Sequence, residues 1–339
     1  MAGLINTLVT VPKGLWENII FAFESKIANY AVVIILLTLC IKTLFLPLDF
    51  FNKKINRKNS KMQALMKPEL DSIQKAYAND KALLNQKTSE VYKKNNISMG
   101  GSCVFMLVFF ASTMVVFLTL FNGLNNMASY KIQTQYESLK AVYTQQVVAG
   151  NTEEERNNAI AVEYNKVKDS FLWIDNVWIS DSPLKNSVPT FKEYESIARL
   201  TFTATNTQTA EQLKAIYEKE YNSIMDPLRK NVGRVNGYFV LVILTVGLAV
   251  ASQFMARKNL FEKKGEGVAP IAQNKMMLII MPLILGFFTF FYNSVFSIYI
   301  IAGQLWMLAT TPLVDYIIFK TENKKASKTK FTKGRIVNK

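Results

Sequence analysis

Charged residues are segregated along this chain. Residues 99–130, 237–254 and 276–314 carry none, and residues 27–48 carry only Lys42. Apolar runs this long match the roughly 20 residues of helix that cross a hydrocarbon core. The pattern predicts five helical spans, at 28–50, 99–123, 237–255, 276–292 and 296–318. Tyr292-Asn293-Ser294 is long enough for a tight reversal between the last two. Backbone polar groups in lipid must be satisfied within their own segment, and nothing hints at a closed barrel, so the spans read as helices. The predicted fold class is all-α: a polytopic membrane protein of five transmembrane helices, with a cytoplasmic helical hairpin and an enlarged helical extracellular segment.

The connections carry the orientation signal. Residues 51–98 hold 11 Lys/Arg against 4 Asp/Glu, residues 256–275 hold 5 against 2, and residues 315–339 hold 8 against 2. The 124–236 connection holds 13 against 14. The positive-inside bias puts the first three in the cytoplasm and the fourth outside. The N-terminus is then outside and the C-terminus inside.

Residues 1–27 lack a basic leader and a small-residue cleavage site, so they do not read as a secretory signal. Leu4, Ile5, Leu8, Leu15, Ile19, Ile20 and Phe23 recur at roughly helical spacing. The reading is an amphipathic helix at the outer interface with Trp16 at headgroup depth; a signal anchor is the alternative.

The 51–98 connection reads as a lysine-rich helical hairpin. Met62, Leu65, Met66, Ile73 and Tyr77 form an apolar stripe, Pro68 is expected to kink the first arm, and Asp80 to cap a second arm from Lys81 to about Asn95. The stripe suits packing on membrane helices or an adaptable contact surface. The lysines alone would serve as topology signals.

The 124–236 segment is too long for a plain loop. Ile132, Tyr136, Leu139, Tyr143 and Val147 predict one helix, and Leu213, Ile216, Tyr217, Tyr221, Ile224 and Leu228 another. Between them lies an aromatic stretch from Phe171 to Leu184, in which Trp173 and Trp178 suit a membrane interface. Gly233 and Gly237 have helix-packing spacing, but at a span edge loop geometry is the better reading.

Composition removes several chemistries. The chain has 339 residues, a formal net charge of +15, two Cys and no His. His-based triads, metal sites and proton relays are excluded. Cys40 and Cys103 lie in apolar runs and make no zinc cluster. No glycine-rich nucleotide motif is present. No cofactor, metal or catalytic residue is expected, and no small-molecule substrate.

Lys42 is the informative residue. It lies about eight residues from the cytoplasmic end of its span, roughly 12 Å at helical rise. An amine near the bilayer centre costs about 2.5–3.5 kcal/mol. Thr38, Lys42, Phe45 and Asp49 share one helix face, which suits the wall of a hydrated cavity open to the cytoplasm. The alternative is that Lys42 snorkels to the inner headgroups. For Asp315, near the inner interface, a solvated helix end is the better reading and a place in a polar groove the alternative.

These residues resemble the YidC/Oxa/Alb membrane protein insertases. The resemblance rests on Lys42 followed five residues later by Pro47-Leu48, on Lys61 to Leu70 with Ile73 to Tyr77, and on Asn96 to Cys103. Phe171-Leu172-Trp173-Ile174, Lys275 to Met277 with Met281-Pro282, and Ile298 to Gln304 complete it. No single motif is specific, but their order, spacing and span count together are. The family's cation is usually Arg; Lys42 keeps the charge without the planar fork.

The resemblance implies an insertase or chaperone rather than an enzyme. It implies a groove closed to the outside and open to cytoplasm and lipid, with Lys42, Thr38, Tyr299 and Gln304 meeting the client. It also implies a hairpin presenting Met62, Met66, Pro68 and Tyr77. Nascent membrane proteins are the expected clients, and the bilayer, the ribosome and a Sec translocon the expected partners. The 319–339 tail reads as disordered, with Lys324, Lys325, Lys328, Lys330, Lys333 and Arg335 meeting anionic lipid or ribosomal RNA. A transporter or ion pathway using Lys42 is the competing function, and a membrane-anchored scaffold a third.

Overall fold

A computed structural model describes the backbone of residues 9–95, 99–205, 207–257 and 275–336. It describes their side chains except at 60, 63, 99–103, 105, 106, 256, 257, 275–278 and 324–336. The described residues form ten helices: α1 Leu15–Glu24, α2 Tyr30–Ala76, α3 Lys81–Lys94, α4 Met99–Val148, α5 Glu153–Val167, α6 Phe191–Ala198, α7 Ala210–Asn231, α8 Val240–Arg257, α9 Lys275–Phe291 and α10 Ser294–Ile336. They include no strand, only two isolated bridges. Stretches of α2, α4 and α10 are long and apolar enough to cross a membrane, and α8 and α9 are shorter apolar helices.

Two compact units divide the chain: residues 1–38, 117–246 and 283–302 form one, and residues 39–116, 247–282 and 303–339 the other. In the first, α1 runs along α4. Trp16 Nε1 donates to Thr119 Oγ1 at 3.0 Å, Asn126 Nδ2 donates to the buried Glu17 at 2.7 Å, and Lys131 pairs with Glu24 at 2.5 Å. A Cβ at Gly123 would lie 2.8 Å from Trp16 Cβ, so the glycine permits the close approach. A helix is present at Leu15–Glu24, with Ile20 fully buried and Trp16 bonded to α4; Leu4, Ile5 and Leu8 of the expected stripe lie outside the described residues.

Three helices of this unit begin with the same reciprocal cap. Thr152 with Glu155, Thr190 with Glu193, and Thr209 with Gln212 each satisfy two orphan N–H groups at the start of α5, α6 and α7. The core they enclose is tyrosine-rich: Tyr136, Tyr194, Tyr217, Tyr221 and Phe191 pack ring against ring in stacked, tilted and edge-on pairs. Burial pushes the Tyr217 hydroxyl up to about 12, so the cluster stays neutral. Ile132, Leu139, Leu213, Ile224 and Leu228 are buried with it, whereas Val147 and Ile216 from the predicted stripes are exposed.

The second unit contains the arms of the hairpin. α2 continues as one helix through Pro47 and through Pro68, where the sequence suggested a kink. Asp80 accepts from Leu83 N–H at 3.0 Å and caps α3. Met66 and Val91 are buried, and Lys94 pairs with Glu69 between the arms at 3.3 Å.

Candidate functional site

Lys42 sits on α2 in the second unit and is half-buried. Among the described residues no carboxylate lies within ion-pair distance of its ammonium; the nearest acid along the chain is Asp49, seven residues on. Leu44 and Leu48 beside it are exposed, as lipid-facing residues are. The cation thus lies in an apolar stretch of α2 with no ion-pair partner among the described residues. Gln304 and Trp306, also in this unit, carry polar atoms that are buried and unpartnered: Oε1 of the first and Nε1 of the second. Ser252 Oγ on α8 is a third. Buried polar atoms left unpaired cost about 1–3 kcal/mol each, so a ligand or water that pairs them is favoured.

The other two expected groove residues fall in the first unit. Thr38 is buried, and its hydroxyl donates back to the Ile34 carbonyl at 2.7 Å. Tyr299 is half-buried and lies beside Phe296, with ring centroids 6.4 Å apart. On the hairpin, Met66 is buried, Met62 and Tyr77 are half-buried and Pro68 is exposed.

Facing charges join α2 to α10 in the second unit. Lys53 pairs with Asp315 at 2.9 Å and donates to the Thr311 carbonyl at 3.3 Å. Arg57 and Lys61 meet Glu322 at 3.6 and 2.8 Å. Residues four apart share a helix face, so Lys53, Arg57 and Lys61 present a row of cations to α10. This corrects the reading of Asp315 as a solvated end: its side chain is 11% exposed and neutralised by Lys53. Residues on separate helices made the pair, which span-edge position alone did not reveal.

In the first unit, the aromatic segment is tied to the ends of α8 and α10. The Asp181 carboxylate accepts from the N–H groups of Tyr238 at 2.7 Å and Leu241 at 2.6 Å, and so caps α8. Ser294 donates from N–H and Oγ to the Ile179 carbonyl, and Val295 N–H to Val177. Asn236, fully buried, bonds Asn176 N–H with its oxygen and the carbonyls of 176, 179 and 180 with its nitrogen. A Cβ at Gly237 would lie 1.8 Å from Asp181 Oδ1, so this glycine serves the loop rather than helix packing.

Trp178 is likewise corrected: it is fully buried, donates to Asp169 at 2.9 Å and packs on Tyr30, with ring centroids 4.6 Å apart. Burial raises the Asp169 carboxyl above its usual range, against the pull of Lys131 and the indole N–H. The capping threonines were legible as T-x-x-E/Q; Asp181 and Asn236 had no comparable signal.

The tail is helical where the sequence predicted disorder, since α10 runs to Ile336. Lys and Ala are good helix formers, and extending an existing helix needs no nucleus. The side chains of Lys324, Lys325, Lys328, Lys330, Lys333 and Arg335 lie outside the described residues, as do Asn96 to Ser98, the Cys103 side chain and residues 258–274. Among the described residues no group of His, Cys, Asp and Glu is placed to hold a metal ion.

Long apolar helices, uncompensated polar groups within them and a helical segment tied to the ends of α8 and α10 define a polytopic helical membrane protein. A profile of the 60Kd inner membrane protein family matches residues 22–322. The chain belongs to that family, the YidC/Oxa family whose motifs it resembles.

Among its relatives is the membrane protein insertase YidC of Fusobacterium nucleatum, 35% identical over 101 residues, which are 30% of this chain and 47% of the relative. The YidC of Oleidesulfovibrio alaskensis is 36% identical over 104 residues, 31% of this chain and 18% of that protein. The YidC of Leptospira interrogans serovar Lai is 38% identical over 86 residues, 25% of this chain and 13% of that protein. The matched stretches thus span less than half of the first relative and under a fifth of the other two.

Proposed function

We propose that this protein inserts client segments into the bilayer, acting as an insertase and chaperone without covalent chemistry. The observation that carries the reading is Lys42: half-buried, in an otherwise charge-free apolar stretch, with no carboxylate partner among the described residues. The family and the relatives named as insertases support it.

The proposed mechanism follows from charge and partition. An ammonium held in a low-dielectric groove attracts an acidic or polar part of a client and lowers its desolvation cost. The client's apolar segment then enters lipid, driven by burial of its surface. Gln304, with its unpartnered buried oxygen, accepts a client N–H; Thr38 and Tyr299 are further proposed client contacts. The hairpin, through Met62, Pro68 and Tyr77, offers the first contact; Met66 is buried within it. In this reading there are five spans, the N-terminus is outside, and the hairpin and tail are cytoplasmic, where the basic tail meets anionic lipid or the ribosome. A Sec translocon is a further proposed partner.

Lys42→Arg should retain insertion, whereas Lys42→Glu should reduce insertion of clients with acidic outer tails by about tenfold, because like charges then meet in the groove. The test is protease protection of a single-span client in proteoliposomes. Insertion of acidic-tailed clients by Lys42→Glu at the wild-type rate would refute the groove reading.

A further inference from the structure

The first unit contains a cavity of about 710 Å³ that neither the groove nor the aromatic core accounts for. Its wall combines Lys185, Lys192 and Arg199 with Phe291 and Tyr292. The volume falls within the usual range for small-ligand sites. Its charge is lopsided. The only carboxylate in the lining, Glu193, is already engaged by Lys185 at 2.5 Å and by Thr190 N–H at 2.9 Å. Lys192 and Arg199 are exposed, and among the described residues neither has a carboxylate partner; Arg199 donates only to the neutral side chain of Asn126, at 3.2 Å. The cavity therefore presents two uncompensated cations.

The apolar side of the wall fixes what kind of anion fits. Phe291 and Tyr292 end α9 and begin the turn into α10. If α9 and α10 both span the membrane, as the function proposed above requires, a turn between them lies at the membrane boundary. Phe287 and Phe291, 62% and 64% exposed, form an aromatic edge there. A wholly polar anion would leave this edge uncovered, whereas an anion carrying acyl chains uses both sides.

We propose that the juxtaposition of Lys192 and Arg199 with the Phe291–Tyr292 turn forms a binding site for the phosphate headgroup of an anionic phospholipid, with its chains along α9. Bound there, the lipid joins α6 to the α9–α10 turn. The site is separate from Lys42 and makes no use of it.

The test uses the full chain, delipidated in zwitterionic detergent and titrated with short-chain phosphatidylglycerol, with native mass spectrometry as the readout. Saturable binding is expected, with short-chain phosphatidylcholine at least about tenfold weaker. Lys192→Gln with Arg199→Gln should weaken phosphatidylglycerol about tenfold at unchanged melting temperature. Lys192→Gln alone should weaken it by less, and Lys192→Arg with Arg199→Lys should retain it. Lys42→Glu should bind as wild type, so loss of the insertion reading leaves this one standing. Equal binding by the double Gln variant, or by phosphatidylcholine, would overturn the proposal. So would displacement at equal concentration by inorganic phosphate, which would mark a free-anion site, or by decaglutamate, which would mark an acidic-peptide site.

Discussion

Replacing Asn236 by Ala should loosen the attachment of the aromatic segment to α8 and α10. The Asn236 oxygen accepts from Asn176 N–H at 2.8 Å, and its nitrogen donates to the carbonyls of Asn176, Ser180 and Ile179 at 2.9, 3.1 and 3.2 Å. One N–H on the oxygen side and three carbonyls on the nitrogen side fix the amide orientation. Truncation does not orphan all four partners. The Ile179 carbonyl keeps Ser294, and the Asn176 carbonyl keeps Ile179 N–H at 3.3 Å. Asn176 N–H and the Ser180 carbonyl lose the partner recorded for them.

Two buried orphans at about 1–3 kcal/mol each give an expected cost of about 3 kcal/mol, or roughly a hundredfold in local opening. Hydrogen exchange of the Ser294 and Val295 amides in the full chain reads this directly, because their acceptors, Ile179 and Val177, sit on the tied segment. Their exchange should accelerate about a hundredfold, with amides of α7 unchanged. Asn236→Asp keeps the oxygen facing Asn176 but turns a carboxylate oxygen toward the carbonyls, and should cost at least as much. Exchange within about threefold of wild type in both variants would show that the knot does not hold the segment.

Three further outcomes are expected. Asp315→Asn removes the countercharge of the part-buried Lys53 and should cost about 2 kcal/mol in thermal unfolding; Lys53→Met with Asp315→Leu should recover part of this, because both charges leave together. Asp169 has its carboxyl pKa raised by burial, so the folded state binds its proton more tightly than the unfolded chain does. The associated stability is present at low pH and is lost as pH rises through the folded pKa; exchange of the Trp178 indole N–H should quicken over that window and flatten in Asp169→Asn. In a background with Cys40→Ser and Cys103→Ser, membrane-impermeant maleimide added outside should label Glu154→Cys and spare Asn79→Cys; the reverse pattern would invert the proposed orientation.

Local features were legible from the residues alone. The apolar runs at α2, α4, α8, α9 and α10 follow from composition over about 20 residues, and the Asp80 cap from one polar residue before a helical stripe. Lys42 stood out because an isolated cation in an apolar run needs no partner to be noticed. Features made by residues far apart in the chain were hidden. Trp178 has the composition of an interfacial aromatic, yet Tyr30 and Asp169 enclose it. Asp315 resembles a solvated end until Lys53, 262 positions earlier in the chain, supplies the countercharge. Asn236 has no signature at all, because its four bonds reach residues 56 to 60 positions away. Hydrophobic periodicity fixes which segments leave water, since that choice depends on side chains within a few turns. Which polar groups survive burial depends on partners that only the folded chain brings within 3 Å, and there the tertiary structure decided.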